Sequence, residues 1–249
     1  MIVWLTCTYG RYKCLQRNLK CYLDQDYSGN SIMYICNTGL SLRLPDNFEL
    51  PSNKKIYIDN VPADKFTSTG EKFSYAVGRV QELFPEATVV THADDDDIFL
   101  PHHLAQGEIG IAKAMLQNKL AYKPFYSYYR EIKDGKVITV PANNTLEPSI
   151  FVDAKYLFNK RYAPISIKYH QQWLNPLIAQ DKILIDREGE STLIYNWADN
   201  GPQSNWGVYK MSGAAEDNYQ NYKQHREYSR DMGAGILVPF ESNTDYYKI

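Results

Sequence analysis

Thr91-His92-Ala93-Asp94-Asp95-Asp96-Asp97-Ile98-Phe99-Leu100-Pro101 is the stretch on which the reading of this chain turns. The apolar run Ala87-Thr88-Val89-Val90 leads into four consecutive carboxylates, and an apolar triplet and a proline follow them. A short β-branched run bounded in this way reads as a buried strand whose carboxyl end delivers the acids into a cleft. Four adjacent negative charges repel one another, so a partly desolvated site needs a positive counterpart. A divalent cation suits that place, because Mg2+ and Mn2+ take a few carboxylate oxygens together with substrate phosphates. An acidic run by itself is more often a solvated turn. A run welded between a core strand and Ile98-Phe99-Leu100-Pro101 reads instead as a metal and diphosphate site.

Working outward, strands alternate with helices through the first half. Residues 2–8 read as a buried parallel strand, Tyr9-Gly10 as a turn, and residues 11–24 as a helix with Leu15, Leu19, Tyr22 and Leu23 on one stripe. This places Thr8, Tyr9 and Arg11 at the carboxyl edge of a sheet, where open α/β sheets bind ligands. Arg11 at a helix start opposes the macrodipole, which points to a phosphate contact or to an exposed side chain. Residues 31–37 and 54–59 read as further strands, and residues 71–84 as a helix stopped by Pro85. A mainly parallel sheet of βαβ units follows.

Beyond a helix over 102–118 the rhythm changes. Residues 122–131 and 136–140 flank Asp134-Gly135, a hairpin signal. Residues 148–152 read as a strand, and Asp153 as the cap of a turn over 154–158. A helix over 169–180 contains Pro176, and residues 183–185 and 192–197 read as strands. Residues 199–213 read as a loop able to close over a substrate, and 214–232 as a helix.

The whole is 249 residues with a formal net charge of −2, which argues against broad non-specific nucleic-acid binding. Cys7, Cys14, Cys21 and Cys36 form no Cys-x-x-Cys pair and read as free thiols, which fits a reducing, cytoplasmic setting. No run reaches the length of a membrane span.

Thr8-Tyr9-Gly10-Arg11, the stripe Leu15, Leu19 and Leu23, and Asp24-Gln25-Asp26-Tyr27 together resemble the opening of the family 2 glycosyltransferases of the GT-A fold. Asp94 to Pro101 resembles their second landmark, Asp-x-Asp-Asp followed by Pro, in a short form most like small virus-encoded members. The resemblance covers roughly the first half of the chain. It implies an α/β, Rossmann-like, mixed and mainly parallel sheet flanked by helices. It also implies one GT-A domain over 1–249, with a donor half (1–120), a more irregular acceptor half (121–212) and a C-terminal helix and tail (213–249).

What the resemblance implies about function is a nucleotide-sugar donor and a hydroxyl acceptor, either a glycan or a hydroxymethylated base in viral DNA. Thr8, Tyr9 and Arg11 are then expected to line the nucleotide pocket. Asn37 stands where the family usually has an Asp near the base. Asp94 is expected to face the ribose and Asp96 to hold a Mn2+ or Mg2+ ion with Asp94, with Asp95 and Asp97 assisting. A cation there neutralises the charge that develops on a departing diphosphate.

The second half departs from the family pattern. The comparable stretch to its late Glu-Asp pair is Tyr169-His170-Gln171-Gln172-Trp173-Leu174, without an acid. His170 is a candidate proton acceptor, since an unperturbed His has a pKa in the range a general base needs, and a capping or hydrogen-bonded surface His is the favoured competing reading. Glu147, Trp173 and Trp197 are candidates for the acceptor side, with core packing the default for the tryptophans. A non-catalytic sugar-nucleotide or carbohydrate binder and a nucleotidyltransferase are the alternative functions.

Overall fold

The computed structural model describes residues 1–8, 11–62, 64–133, 136–143, 149–160, 171–196, 235–239 and 247. Strand β1 (Ile2–Thr8) is followed by helix α1 (Tyr12–Leu23), then by β2 (Ser31–Asn37), β3 (Lys54–Asn60) and α2 (Thr69–Leu83). Strand β4 (Val89–His92), the two-residue β5 (Ile98–Phe99) and α3 (His103–Leu116) carry the acidic run between them. The later elements are β6 (Ala121–Pro124), β7 (Tyr126–Lys133), β8 (Lys136–Asn143), β9 (Phe151–Asp153), α4 (Ala154–Phe158), α5 (Gln171–Ala179), β10 (Ile183–Asp186) and β11 (Leu193–Asn196).

Seven strands form the main sheet in the order β10-β6-β9-β4-β1-β2-β3. β1 runs parallel to both β2 and β4, and β2 parallel to β3. Successive side chains of a strand point to opposite faces, and both faces of this sheet are covered. Ile2 and Trp4 of β1 join the core under α1 and α3, with Leu15, Leu19, Phe99 and Leu104. Val3 and Leu5 join the other core under α2 and α4, with Phe73, Val77, Val80 and Leu157. Hence β1 reads as a continuous apolar run instead of an alternating one.

Helix α3 comes unusually close to the sheet, and two glycines allow it. A Cβ built on Gly107 would lie 2.0 Å from the Phe151 ring, and one on Gly110 would lie 2.2 Å from Tyr122. Any larger side chain at either place has to push the helix off β9 or β6.

Several boundaries differ from the sequence reading, and the single strand expected over 122–131 divides into β6 in the main sheet and β7 in the second. The second helix starts at Thr69, upstream of the expected 71, because Ser68 caps it: the Glu71 amide donates to Ser68 Oγ at 3.1 Å, and the Glu71 carboxylate accepts from the Thr67 amide at 2.7 Å. The expected turn over 154–158 is a helix, with the Tyr156 amide donating to Asp153 Oδ1 at 2.9 Å. The strand expected at 148–152 is Phe151–Asp153. It lies antiparallel between β4 and β6, so the main sheet is mixed. The strand expected at 192–197 is Leu193–Asn196, and it belongs to a second sheet of order β5-β11-β7-β8. The hairpin signal holds, with β7 and β8 antiparallel up to the pair Lys133 and Lys136.

Candidate active site

The chain enters the main sheet at β1, adds β2 and β3 on one side, and then returns to place β4 on the other side of β1. This reversal makes the gap between the carboxyl ends of β1 and β4 the switch point at which open α/β sheets take their ligands. Thr8 ends β1, Arg11 precedes α1, and the acids Asp94 to Asp97 follow β4. The acids stand at the carboxyl end of β4, beside the end of β1.

Arg11 spans two of the four carboxylates. Its Nε donates to Asp95 Oδ2 at 3.2 Å and its Nη2 to Asp95 Oδ1, while Nη1 donates to Asp96 Oδ2 at 2.6 Å. Thr8 Oγ1 donates to Asp95 Oδ2 at 2.6 Å. Asp95 is fully buried, with both oxygens engaged inside the protein. These bonds fix Arg11 and Thr8 in place.

The remaining acids are set by other elements. The Asn196 amide at the end of β11 donates to Asp97 Oδ1 at 3.1 Å, and Asp97 Oδ2 is buried without a hydrogen-bond partner. Asp97 thus ties the acidic tip to the second sheet. The Asp94 side chain is 39% exposed, with His92 Nε2 3.4 Å from its Oδ1, and that of Asp96 is 22% exposed. The tip itself is held from below by Asn18 of α1, whose Nδ2 donates to the Asp94 carbonyl at 2.9 Å. The Asn18 Oδ1 accepts from Trp4 Nε1 at 3.0 Å and Thr6 Oγ1 at 3.1 Å.

Burial and charge pull the acids apart electrostatically. Burial raises the pKa of Asp95, with Arg11 only partly offsetting it. Burial also opposes ionisation of Asp96, but the Arg11 charge and hydrogen bond outweigh it and hold Asp96 below the usual carboxylate range. Asp97 is pushed well up by burial and then by the charges of Asp96 and Asp94. Burial works against the Arg11 charge, and Asp95 and Asp96 more than compensate, so the guanidinium stays charged.

The positive counterpart required by the acidic run is, in this structure, Arg11. A divalent cation still fits. Asp94 and Asp96 turn partly exposed carboxylates outward beside the switch point, and Mg2+ or Mn2+ bound with substrate phosphates needs one or two protein carboxylates. Among the described residues no three His, Cys, Asp or Glu side chains are grouped to hold an ion unaided.

At the neighbouring strand ends, Asn37 is engaged by the protein. Its Nδ2 donates to the Leu40 carbonyl at 2.7 Å and to Asn60 Oδ1 at 2.8 Å, and its Oδ1 accepts from the Gly39 amide at 3.2 Å. It clamps the loop after β2 against β3. Lys72 of α2 is buried beside it, donating to the Thr8 carbonyl and to Thr38 Oγ1 at 2.7 Å.

Trp173 lies in the core, the default reading for the tryptophans. It is 1% exposed and stacks on Phe73 with ring centroids 6.5 Å apart. Tyr9, Glu147, His170 and Trp197 lie outside the described residues, as do the expected closing loop and C-terminal helix. Asn18 and Lys72 were missed by sequence reasoning. Asn18 had a signal, since a polar residue at 18 interrupts the stripe Leu15, Leu19, Tyr22.

No protein-family model and no curated protein matches this sequence. Solved structures do match the fold. One is S. aureus TarS residues 1–349, with a TM-score of 0.52 and 12% identity over 92% of this chain and 72% of that one. The same fragment in complex with UDP-GlcNAc gives a TM-score of 0.58 and 10% identity over 90% of this chain and 65% of that one. In complex with UDP it gives 0.54 and 12%, over 91% and 70%. Against the longer TarS structure this chain spans 42% of the length. At these identities the likeness defines the fold, and the fold is GT-A.

Proposed function

We propose that this protein is a glycosyltransferase that moves a sugar from a uridine-diphosphate sugar to a hydroxyl acceptor. The observation that carries this reading is the joining of Thr8, Arg11, Asp95 and Asp96 across the switch point of a GT-A sheet. The UDP-GlcNAc and UDP complexes of a fold neighbour support the choice of donor.

In this reading Asp96 and Asp94 hold a Mn2+ or Mg2+ ion against the donor diphosphate. When bound, the ion neutralises the charge that appears on the leaving diphosphate. Asp95, with its two partners, keeps the tip rigid. Thr8 and Arg11 shape the floor under the nucleotide. Asn37 and Lys72 hold the strand ends that border the base. His170 is the proposed proton acceptor for the incoming hydroxyl, and Glu147 and Trp197 belong to the acceptor side. The acceptor is a glycan, or a hydroxymethylated base in DNA.

A panel of nucleotide sugars, assayed with Mn2+ or Mg2+ for release of nucleoside diphosphate, tests the proposal. We expect release with a uridine-diphosphate sugar that is abolished by chelator and by Asp96→Ala. Release at full rate in Asp96→Ala removes that residue as a ligand, and no release from any donor removes the activity. His170→Ala at near-normal turnover removes His170 as base.

A further inference from the structure

Cys7 and Cys36 are direct partners in the β1–β2 ladder. In a parallel pair such partners have Cα atoms about 4.8 Å apart, which lies within the range a disulfide spans. Both side chains point to the α2 face of the sheet: Cys36 lies in the core there and Cys7 packs against it. Both thiols are free. Cys36 is fully buried, whereas Cys7 keeps partial exposure. Cys36 is shifted toward the thiolate, first by Cys7 and then by the Lys72 ammonium, while Cys36 and burial push the Cys7 thiol well up.

Their place in the chain gives the pair its meaning. Cys7 immediately precedes Thr8, which holds Asp95 through its hydroxyl and receives Lys72 and the Thr38 amide at its carbonyl. Cys36 immediately precedes Asn37, the clamp of the loop after β2. Drawing the two sulfurs into a bond pulls both strand ends at once, and everything at the donor edge is fixed to those ends.

We propose that Cys7 and Cys36 are a dithiol modification site that peroxide closes into a reversible disulfide, and that closure weakens nucleotide-sugar binding. Peroxide transfers one oxygen to the partly exposed Cys7 sulfur, giving a sulfenic acid and releasing water. The Cys36 sulfur then attacks that sulfur. The S–S bond forms, hydroxide leaves, and it takes the Cys36 proton to become water. The two thiols lose two electrons and two hydrogens, and one peroxide becomes two waters. In-register partners of a parallel ladder hold their sulfurs away from relaxed disulfide geometry, so the bond is strained and easily reduced.

The bond itself stands independently of the proposed function, whereas its effect on the donor rests on that reading. The test treats the native protein with hydrogen peroxide, maps disulfides by mass spectrometry of peptides, and measures UDP binding by calorimetry before and after. We expect a loss of about 2 Da located to a Cys7–Cys36 cross-link, a several-fold weaker UDP affinity, and recovery of both with dithiothreitol. Cys7→Ser is expected to bind UDP normally and to ignore peroxide. A protein that leaves Cys7 and Cys36 unlinked, or that binds UDP equally well when they are linked, overturns the proposal. A protein that links them but shows no UDP binding before treatment overturns the proposed donor and the control attributed to the thiols, and leaves only the cross-link.

Discussion

Arg11 and Asp95 form a two-point ion pair across 84 residues of sequence, with Nε on Oδ2 at 3.2 Å and Nη2 on Oδ1. The carboxylate is fully buried, and the Arg11 side chain is 16% exposed. Removing one member of such a pair strands the other charge in a low-dielectric setting, at a cost of about 3–5 kcal/mol. Arg11→Ala is therefore expected to destabilise the fold by that order, read as a lower urea midpoint. Arg11→Lys is expected to recover less than half of the loss, because a point charge cannot fork onto Asp95 and reach Asp96 together. Full recovery by lysine counts against the two-point geometry.

Thr8 provides the third bond to Asp95, at 2.6 Å. Thr8→Val keeps the shape and deletes the hydroxyl, so the expected loss is about 1–3 kcal/mol. Coupled with Arg11→Ala in a double-mutant cycle, it should show non-additivity of at least about 0.5 kcal/mol. Simple additivity means that the two bonds do not share one carboxylate.

Gly107 faces the Phe151 ring with no room for a methyl group. Gly107→Ala is expected to cost about 1–3 kcal/mol through overpacking, despite the higher helix propensity of alanine. Gly78, inside helix α2, has open space around its Cβ position and serves as the control. There the same substitution should stabilise by about 0.4–1 kcal/mol. Equal responses at the two glycines remove the packing argument.

His103 is buried between Thr192 Oγ1 at 2.9 Å and Thr91 Oγ1 at 3.3 Å. Burial lowers its pKa from 6.5 to about 3. A base whose folded pKa is depressed is neutral in the fold, so its contribution is intact above the unfolded value and is lost as pH falls from about 6.5 toward 3. Thermal melts should drop progressively below pH 6.5. His103→Gln should flatten that part of the profile even if it lowers stability overall. An unchanged slope in the variant places the acid sensitivity elsewhere.

The sequence made much of this legible because the signals were local. The apolar runs of β1, β2 and β4 each mark a buried strand, and the acids fall where a strand ends. What could not be read was any decision made at long range. That Arg11 neutralises Asp95 and Asp96 depends on strand order, which places residues 84 and 85 positions apart in contact. β9 has three residues, too few for periodicity to reveal its antiparallel direction. The Ser68-Thr69-Gly70-Glu71 capping box was present in the sequence, and its reading would have set the start of α2 correctly.

The insertion of β9 between β4 and β6 has a consequence for how the chain can be cut and made. Until Phe151–Asp153 arrives, β4 presents one flank of bare amide and carbonyl groups. A fragment ending near residue 120 would carry the acids on an open edge and invite self-association. During synthesis, the nascent chain can seal that flank only after residue 153 has left the ribosome.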